Sequence, residues 1–210
     1  MKRRISLYVD GFNLFYGLKT LPFKYYRWLN LEALAQQLIN PVHEEIVAIH
    51  YFTTRVINNA RKQSNQEKYL AALKTCPKVQ VHFGEFKEKE FQCPNCSRPF
   101  RQPIEKITDV NISVQALLGA HRDEYDVAYI LTGDTDLITL MDALATGFGK
   151  DFKIVFPPGR HNDKLKNKFP QKYRQLKSKM LQQCLFKREI IDGTYKIICP
   201  LEWQVSSSNL

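Results

Sequence analysis

Residues 127–140, with the sequence VAYILTGDTDLITL, constrain the fold more than any other segment of the chain. The first five residues are an uninterrupted apolar run, which is typical of a strand buried on both faces. A Thr-Gly turn follows, then Asp134 and Asp136, and an apolar helical pattern begins at Leu137. Open parallel sheets bind ligands beyond the carboxyl ends of their strands, so the segment predicts a site there. We expect one of the two aspartates to cap the helix, which leaves the other unexplained.

Strand-length apolar runs alternate with helical patterns along the chain. Strands are predicted over 4–9, 45–52, 79–83, 127–131 and 152–156, and helices over 60–75, 104–122 and from 137 to about 146. The helix over 104–122 is expected to direct Ile107, Val110, Val114, Leu117 and Leu118 to the core. This alternation predicts βαβ units with right-handed crossovers and a mostly parallel central sheet. The fold class is therefore α/β, with three layers.

Composition limits the classes of protein that fit. The length of 210 residues suits one α/β domain with appendages, and 31 Lys and Arg against 21 Asp and Glu give a net charge of +10. This balance favours polyanionic partners such as nucleic acids. No apolar run reaches the length of a membrane span, and Met1 leads directly into a strand without a signal-peptide region. We therefore expect a cytoplasmic protein with no membrane partner.

Further aspartates follow predicted strands or begin predicted helices. Asp10 ends the first strand, and a turn in which Asn13 caps the next helix is the local explanation. Asp10, Asp134 and Asp136 all follow strands, so we expect them to converge at one edge of the sheet. Asp109 would join them only if the helix that carries it starts at the same edge. Clustered carboxylates repel one another unless a cation neutralises them. Hard oxygen ligands indicate Mg²⁺ or Mn²⁺, the ions that activate water in nucleases.

Three motifs resemble, in order and spacing, the acidic motifs of NYN domains, a branch of the PIN-like nuclease group that includes LabA-like proteins. They are VDGFN at 9–13, EKxxD at 105–109 and TGDTDL at 132–137. The resemblance covers roughly residues 5–158 and implies a Rossmann-like PIN fold that cleaves RNA with a divalent metal. Thr132 and Leu137 stand where the family often has a serine and an aromatic residue, and neither change removes a ligand.

The resemblance also assigns roles to individual residues. It implies that Asp10, Asp109 and Asp134 are metal ligands and that Asp136 is a further ligand or an orienting group. The alternative role for Asp136 is to cap the helix that follows it, without any part in metal binding. It also implies that Asn13 lies near the phosphate and Lys106 near the substrate backbone.

The sequence thus predicts an NYN domain over 1–160 with an insertion at about 84–103. A basic extension over 161–210 contains a hairpin around an Asp-Gly turn. The predicted function is a metal-dependent endoribonuclease that hydrolyses RNA phosphodiesters. The alternative is a non-catalytic RNA-binding or regulatory module. A haloacid dehalogenase-type phosphatase is disfavoured, because Phe12 stands where a second aspartate would be needed.

Two further features bear on metal and RNA. Cys93 and Cys96 form half of a zinc-binding motif, and the alternative is an exposed, reduced turn. No second pair follows at motif spacing; the candidates are Cys76, His82, His121, Cys184 and Cys199. Two chains sharing one ion would form a homodimer. A basic tract over 164–179, which begins at Lys164, would bind RNA phosphates, with a solvated basic face as the alternative. Arg160 and His161, just past a strand end, are better placed to meet the substrate.

Overall fold

The structure is a computed structural model that describes residues 1–19 and 23–204; for residues 102–105 it describes the backbone. The strands are β1 (Arg3–Asp10), β2 (Glu44–Thr53), β3 (Val79–Phe83), β4 (Glu85–Gln92), β5 (Pro99–Lys106), β6 (Val127–Leu131), β7 (Asp151–Phe156), β8 (Tyr173–Gln175), β9 (Glu189–Asp192) and β10 (Tyr195–Ile198). The α-helices are α1 (Gly11–Gly17), α2 (Leu31–Leu38), α3 (Ala60–Lys74), α4 (Thr108–His121), α5 (Ile138–Asp142), α6 (Asp163–Lys168) and α7 (Ser178–Gln183). Short 3₁₀ turns span Phe23–Arg27 and Leu201–Trp203, and a π-helical turn, Ala143–Gly147, continues α5.

In the described part of the chain, six strands form a central sheet in the order β3-β2-β1-β6-β7-β8. Every neighbouring pair is parallel. The strand order reverses between β1 and β6, which lie side by side although they are far apart in sequence. Doubly wound sheets bind ligands at this switch point. The α/β, three-layer, Rossmann-like prediction is therefore confirmed.

The sheet separates two apolar cores. Helices α1, α2, α3 and α7 pack on one face with Ile5, Leu7 and Val9 of β1. Helices α4, α5 and α6 pack on the other, which receives Tyr8. Alternate residues of β1 thus enter opposite layers, as the pleat of a strand requires. Because both faces are covered, β6 is buried along its whole length.

Helix α4 differs from its prediction in both start and orientation. It begins at Thr108, because residues 99–106 form strand β5. Its buried side includes Ile112, Ala116 and Ala120, whereas Val110 and Val114 are 60% and 46% exposed. The predicted inward face was therefore wrong. Both faces show helical spacing, but only the one with small residues allows the close approach seen at Gly119, where a Cβ atom would lie 2.9 Å from the Tyr125 ring.

The predicted insertion at 84–103 is an antiparallel ribbon of β4 and β5, paired from Glu85 with Lys106 to Gln92 with Pro99. Strand β4 has no fully buried residue, so no apolar alternation marked it in the sequence. The predicted C-terminal hairpin is present as β9 and β10. The basic tract is divided between α6 and β8, and β8 joins the central sheet through β7. Within the described ranges, none of the helices is long and apolar enough to cross a membrane.

Candidate metal centre

The first loop of the site follows β1, where Asp10 is the N-cap of α1. Its Oδ1 accepts a hydrogen bond from the backbone N–H of Asn13 at 2.9 Å. Its Oδ2 accepts from Asn13 Nδ2 at 2.6 Å and from Thr132 Oγ1 at 3.0 Å. Both carboxylate oxygens are thus used inside the protein, and only 3% of the residue is exposed. The expected cap of this helix was Asn13; the structure gives that role to Asp10.

Burial raises the pKa of Asp10, because it disfavours the charged carboxylate. The hydrogen bonds from Asn13 and Thr132 act in the opposite direction, and the negative charge of Asp134 raises the pKa further. Asp10 is therefore a buried acid that connects the loop after β1 to the loop after β6.

The second loop follows β6 and is closed by its own side chains. Thr132 Oγ1 accepts a hydrogen bond from the Asp134 N–H at 3.0 Å, and Asp134 Oδ1 accepts one from the Asp136 N–H at 3.0 Å. Helix α5 begins at Ile138 without a side-chain cap. The prediction that an aspartate of this loop caps the helix is therefore wrong. The Ile138 N–H instead donates to the carbonyl of Thr135 at 3.1 Å, which frees the Asp136 carboxylate from that role.

Three carboxylates meet at this edge of the sheet. Oxygens of Asp109, Asp134 and Asp136 all lie within 4.8 Å of one another, in a geometry that could hold a metal ion. Asp109 takes part because α4 starts at this edge, which was the condition set by the sequence. A donor set of carboxylate oxygens fits Mg²⁺ or Mn²⁺. Asp10 lies outside this group of three, and its role as a metal ligand stays a prediction.

The backbone before α4 is strained. Ile107 has a φ of 79°, a region that β-branched residues rarely adopt. This residue turns the chain from β5 into α4 and so brings Asp109 to the carboxylate group. Backbone strain of this kind costs about 1–3 kcal/mol and is commonly found at functional sites.

The loop after β7 closes the opposite side of the site. Asn13 Oδ1 accepts hydrogen bonds from the Gly133 N–H at 3.2 Å and from Arg160 Nε at 3.4 Å. Gly133 is required here, because a Cβ atom would lie 2.1 Å from the carbonyl oxygen of Arg160. The structure thus brings Arg160, predicted from its place after a strand, to the polar residues of the centre.

The other predicted basic residues are exposed around this edge. His161 lies beside Arg160, Lys164 is in the first turn of α6, and Lys106 ends β5 three positions before Asp109. Binding of RNA by these residues stays a prediction.

A cavity of about 210 Å³, lined in part by Gly11 and Phe12 directly after Asp10, was missed by sequence reasoning. Its walls come from α1, the end of β2, α3, β4 and the Leu201–Trp203 turn. The aromatic residues that line it are Phe12, Phe15, Tyr16, Tyr51, Tyr69, Phe86 and Trp203. Arg27 and Lys62 add positive charge to this lining, and the Arg27 guanidinium carbon lies 4.9 Å from the centre of the Phe15 ring. No single sequence signal marks a pocket built from six separate elements, which include the Phe23–Arg27 turn.

Cys93 and Cys96 lie at the tip of the β4–β5 ribbon. Cys76, Cys184 and Cys199 are buried elsewhere. His82 Nε2 lies 3.0 Å from His50 Nδ1, so this nitrogen is engaged in a hydrogen bond. Among the described residues, neither cysteine belongs to a group of three metal-ligand side chains.

The doubly wound parallel sheet and the carboxylates at its switch point define a Rossmann-like α/β protein with the acidic edge of the PIN-like group. The NYN domain family model matches residues 4–176. The chain therefore belongs to the NYN domain family, and the resemblance seen in the three motifs is confirmed.

Two further proteins are similar to this chain. One is 6-hydroxy-3-succinoylpyridine 3-monooxygenase HspA of Pseudomonas putida (strain DSM 28022 / S16), which is 26% identical over 238 aligned positions covering 95% of this chain and 75% of the relative. The other is a protein of unknown function, VPA0982, from Vibrio parahaemolyticus RIMD 2210633, whose crystal structure matches with a TM-score of 0.58. That match has 16% identity and covers 88% of this chain and 97% of the other, so it supports the fold alone.

Proposed function

We propose that this protein is a metal-dependent endoribonuclease that hydrolyses phosphodiester bonds of single-stranded or structured RNA. The observation that carries this proposal is the group formed by Asp109, Asp134 and Asp136, whose oxygens lie within 4.8 Å of one another at the switch point. Membership of the NYN domain family supports the same chemistry.

These three carboxylates would hold Mg²⁺ or Mn²⁺. A divalent ion bound there would polarise the phosphodiester and lower the pKa of an attacking water. Because carboxylates packed this closely repel one another, a cation is also expected to stabilise the folded protein.

The residues around the group position the substrate and the ligands. Asp10 and Thr132 hold the two acidic loops together, and Asn13 connects them to Arg160. The Arg160 guanidinium carries the positive charge and the several N–H donors that suit a non-bridging phosphate oxygen. Lys106, His161 and Lys164, which are exposed around this edge, would bind the neighbouring phosphates of the RNA backbone.

Cleavage of a labelled RNA in Mn²⁺ tests the proposal directly. Asp109→Asn and Asp134→Asn should each reduce the rate by about 100-fold or more, because each removes a negative ligand and keeps the shape of the side chain. Asp192→Asn, at the exposed turn of the β9–β10 hairpin, is the matched control and should cleave normally. Equal rates for all three variants would rule out this centre as the active site.

The alternative is an RNA-binding or regulatory module without cleavage. Manganese would then raise the melting temperature of the wild type but not of Asp134→Asn, and RNA binding would be sensitive to salt. No products would form at any metal concentration. The thermal shift therefore tests the metal centre separately from catalysis.

The aromatic cavity favours a second candidate, the hydroxylation of a small aromatic acid. The relative from Pseudomonas putida is named for monooxygenation of a succinoylpyridine, and Arg27 and Lys62 would bind a carboxylate at a cavity lined with aromatic rings. Such a reaction consumes O₂ and a two-electron reductant; one oxygen atom enters the product and the other leaves as water. Incubation with 6-hydroxy-3-succinoylpyridine, NADH and Mn²⁺ tests it, and unchanged NADH and substrate would exclude this activity for that substrate.

A further inference from the structure

The ribbon tip carries Cys93 and Cys96, which are half of a metal-binding motif. The turn between β4 and β5 is closed by two hydrogen bonds, from the Ser97 N–H to the Cys93 carbonyl at 2.8 Å and from the Cys93 N–H to the Arg98 carbonyl at 3.0 Å. Ser97 adopts a left-handed conformation with a φ of 54°. The turn thereby holds both cysteines at the tip, with Pro94 and Asn95 between them.

Metals bind cysteine as the thiolate, so a cysteine ligand must be reduced and accessible. Both cysteines are reduced and accessible to solvent. By contrast, burial raises the pKa of Cys76, Cys184 and Cys199 to about 11, which disfavours metal binding by the three buried thiols.

Two thiolates do not complete a structural zinc site, which needs about four ligands in a tetrahedron. Among the residues whose side chains the structure describes, no third cysteine, histidine or carboxylate joins the pair. A second copy of the chain carries the same cysteine pair and so offers the two missing ligands. A twofold axis through the turn would supply them, because such an interface brings the same patch of two subunits together.

We propose that two copies of this chain share one Zn²⁺ at their ribbon tips, with Cys93 and Cys96 of each chain as its four ligands. Four thiolates leave the site with a net negative charge, and the exposed Arg98 of each chain would offset it. Phe91 and Phe100 stack just below the turn at 5.7 Å, and Phe100 is 44% exposed, so an apolar contact is available beside the ion.

The shared ion would lie well away from the carboxylate centre. Strands β4 and β5 each have eight residues, which corresponds to a ribbon of about 25 Å. The two sites can therefore be perturbed independently. The dimer would hold two carboxylate centres at a fixed separation, as suits a substrate long enough to contact both.

The test uses the full chain, reduced and freed of metal, titrated with Zn²⁺ or Co²⁺. Light scattering should show the mass rising from 24.6 kDa to twice that value as one Zn²⁺ binds per two chains. Cobalt should give the intense visible absorption of a tetrahedral thiolate site at the same ratio. The variant with Cys93→Ser and Cys96→Ser should remain monomeric and give no such absorption.

Two control variants should behave like the wild type, and three outcomes would overturn the proposal. Asn95→Ala, in the same turn, and Asp109→Asn, in the carboxylate group, should both dimerise with Zn²⁺ like the wild type. A monomer that shows the cobalt–thiolate absorption at one Co²⁺ per chain would overturn the shared site, because the chain would then complete the coordination of the cysteine pair by itself. A protein that takes up no Zn²⁺, or that forms only a Cys93–Cys96 disulfide, would overturn it as well.

Discussion

Asn13 Nδ2 donates a hydrogen bond of 2.6 Å to Asp10 Oδ2 inside the protein. The oxygen of the same amide accepts from the Gly133 N–H and from Arg160 Nε, so one side chain connects three loops. Since an amide supplies both donor and acceptor, a carboxylate of the same shape cannot replace it.

Asn13→Asp should therefore destabilise the protein at neutral pH by about 2 kcal/mol, because it places a second buried carboxylate against Asp10. The free energy of unfolding in urea measures this loss. Asn167→Asp, on the exposed surface of α6, is the matched control and should change stability little. A stable Asn13→Asp protein at neutral pH would contradict the assigned orientation of the amide.

Gly133→Ala should disrupt the loop after β6. Its new methyl group would meet the Arg160 carbonyl at 2.1 Å, so the loop after β7 must move. We expect a stability loss of about 2 kcal/mol and a large loss of Mn²⁺ binding, measured by thermal unfolding with and without the ion. Gly147→Ala is the control, because nothing lies within 4 Å of its Cβ position. That substitution should be neutral or slightly stabilising.

Acid should destabilise the fold through a histidine pair. His50 stacks on Tyr8 at 4.9 Å, and burial lowers its pKa from 6.5 to about 4, with His82 contributing further. Between these two pKa values the unfolded chain binds a proton at His50 that the folded protein excludes. The contribution of neutral His50 to the free energy of unfolding is therefore fully present above pH 6.5 and is lost as the pH falls towards 4. The loss at pH 5 should be about 2 kcal/mol in urea unfolding.

His50→Phe keeps the stacked ring but cannot titrate, so its stability should depend less on pH over this window. His121→Gln, on the exposed end of α4, should retain the full dependence of the wild type. If His50→Phe and the wild type lose stability equally between pH 6.5 and 5, another group causes the acid sensitivity.

RNA binding should depend on Arg160 through salt. Each phosphate contact to a single strand contributes about 0.7 to the slope of log affinity against log salt concentration, so Arg160→Ala should lower that slope by about this amount. Fluorescence anisotropy in EDTA, where RNA stays intact, measures it. Lys2→Ala is the control, because Lys2 is exposed before the opposite end of β1. A slope unaffected by Arg160→Ala would place the RNA elsewhere on the protein.

Local sequence was sufficient where one residue pattern decides one element. The apolar run at 127–131 predicted the bounds of β6 correctly. All five of its residues are buried, so an uninterrupted apolar run is the signal that such a strand leaves in the sequence. The cap of α2 is equally local, because the Asn30 side chain accepts from the N–H of Ala33, three positions along the chain, at 3.0 Å. The hairpin of β9 and β10 followed from its Asp-Gly turn in the same way.

The prediction from the sequence failed for the inward face of α4 and for the strands of the β4–β5 ribbon. In α4, apolar residues occupy both the inward and the outward side, and the close approach of small residues to the sheet decided between them. In the ribbon, β4 pairs with β5 and has no fully buried residue, so its charged residues give no apolar signal.

The sequence by itself determined the parallel sheet, the family motifs and the aspartates that gather at one edge, because strand ends and turns are local properties. Tertiary structure decided what each aspartate does. It buried Asp10 against Asn13 and Thr132, and it brought Asp109 beside Asp134 by starting α4 at the switch point. Burial and distance between separate segments depend on packing, so no spacing along the chain reports them.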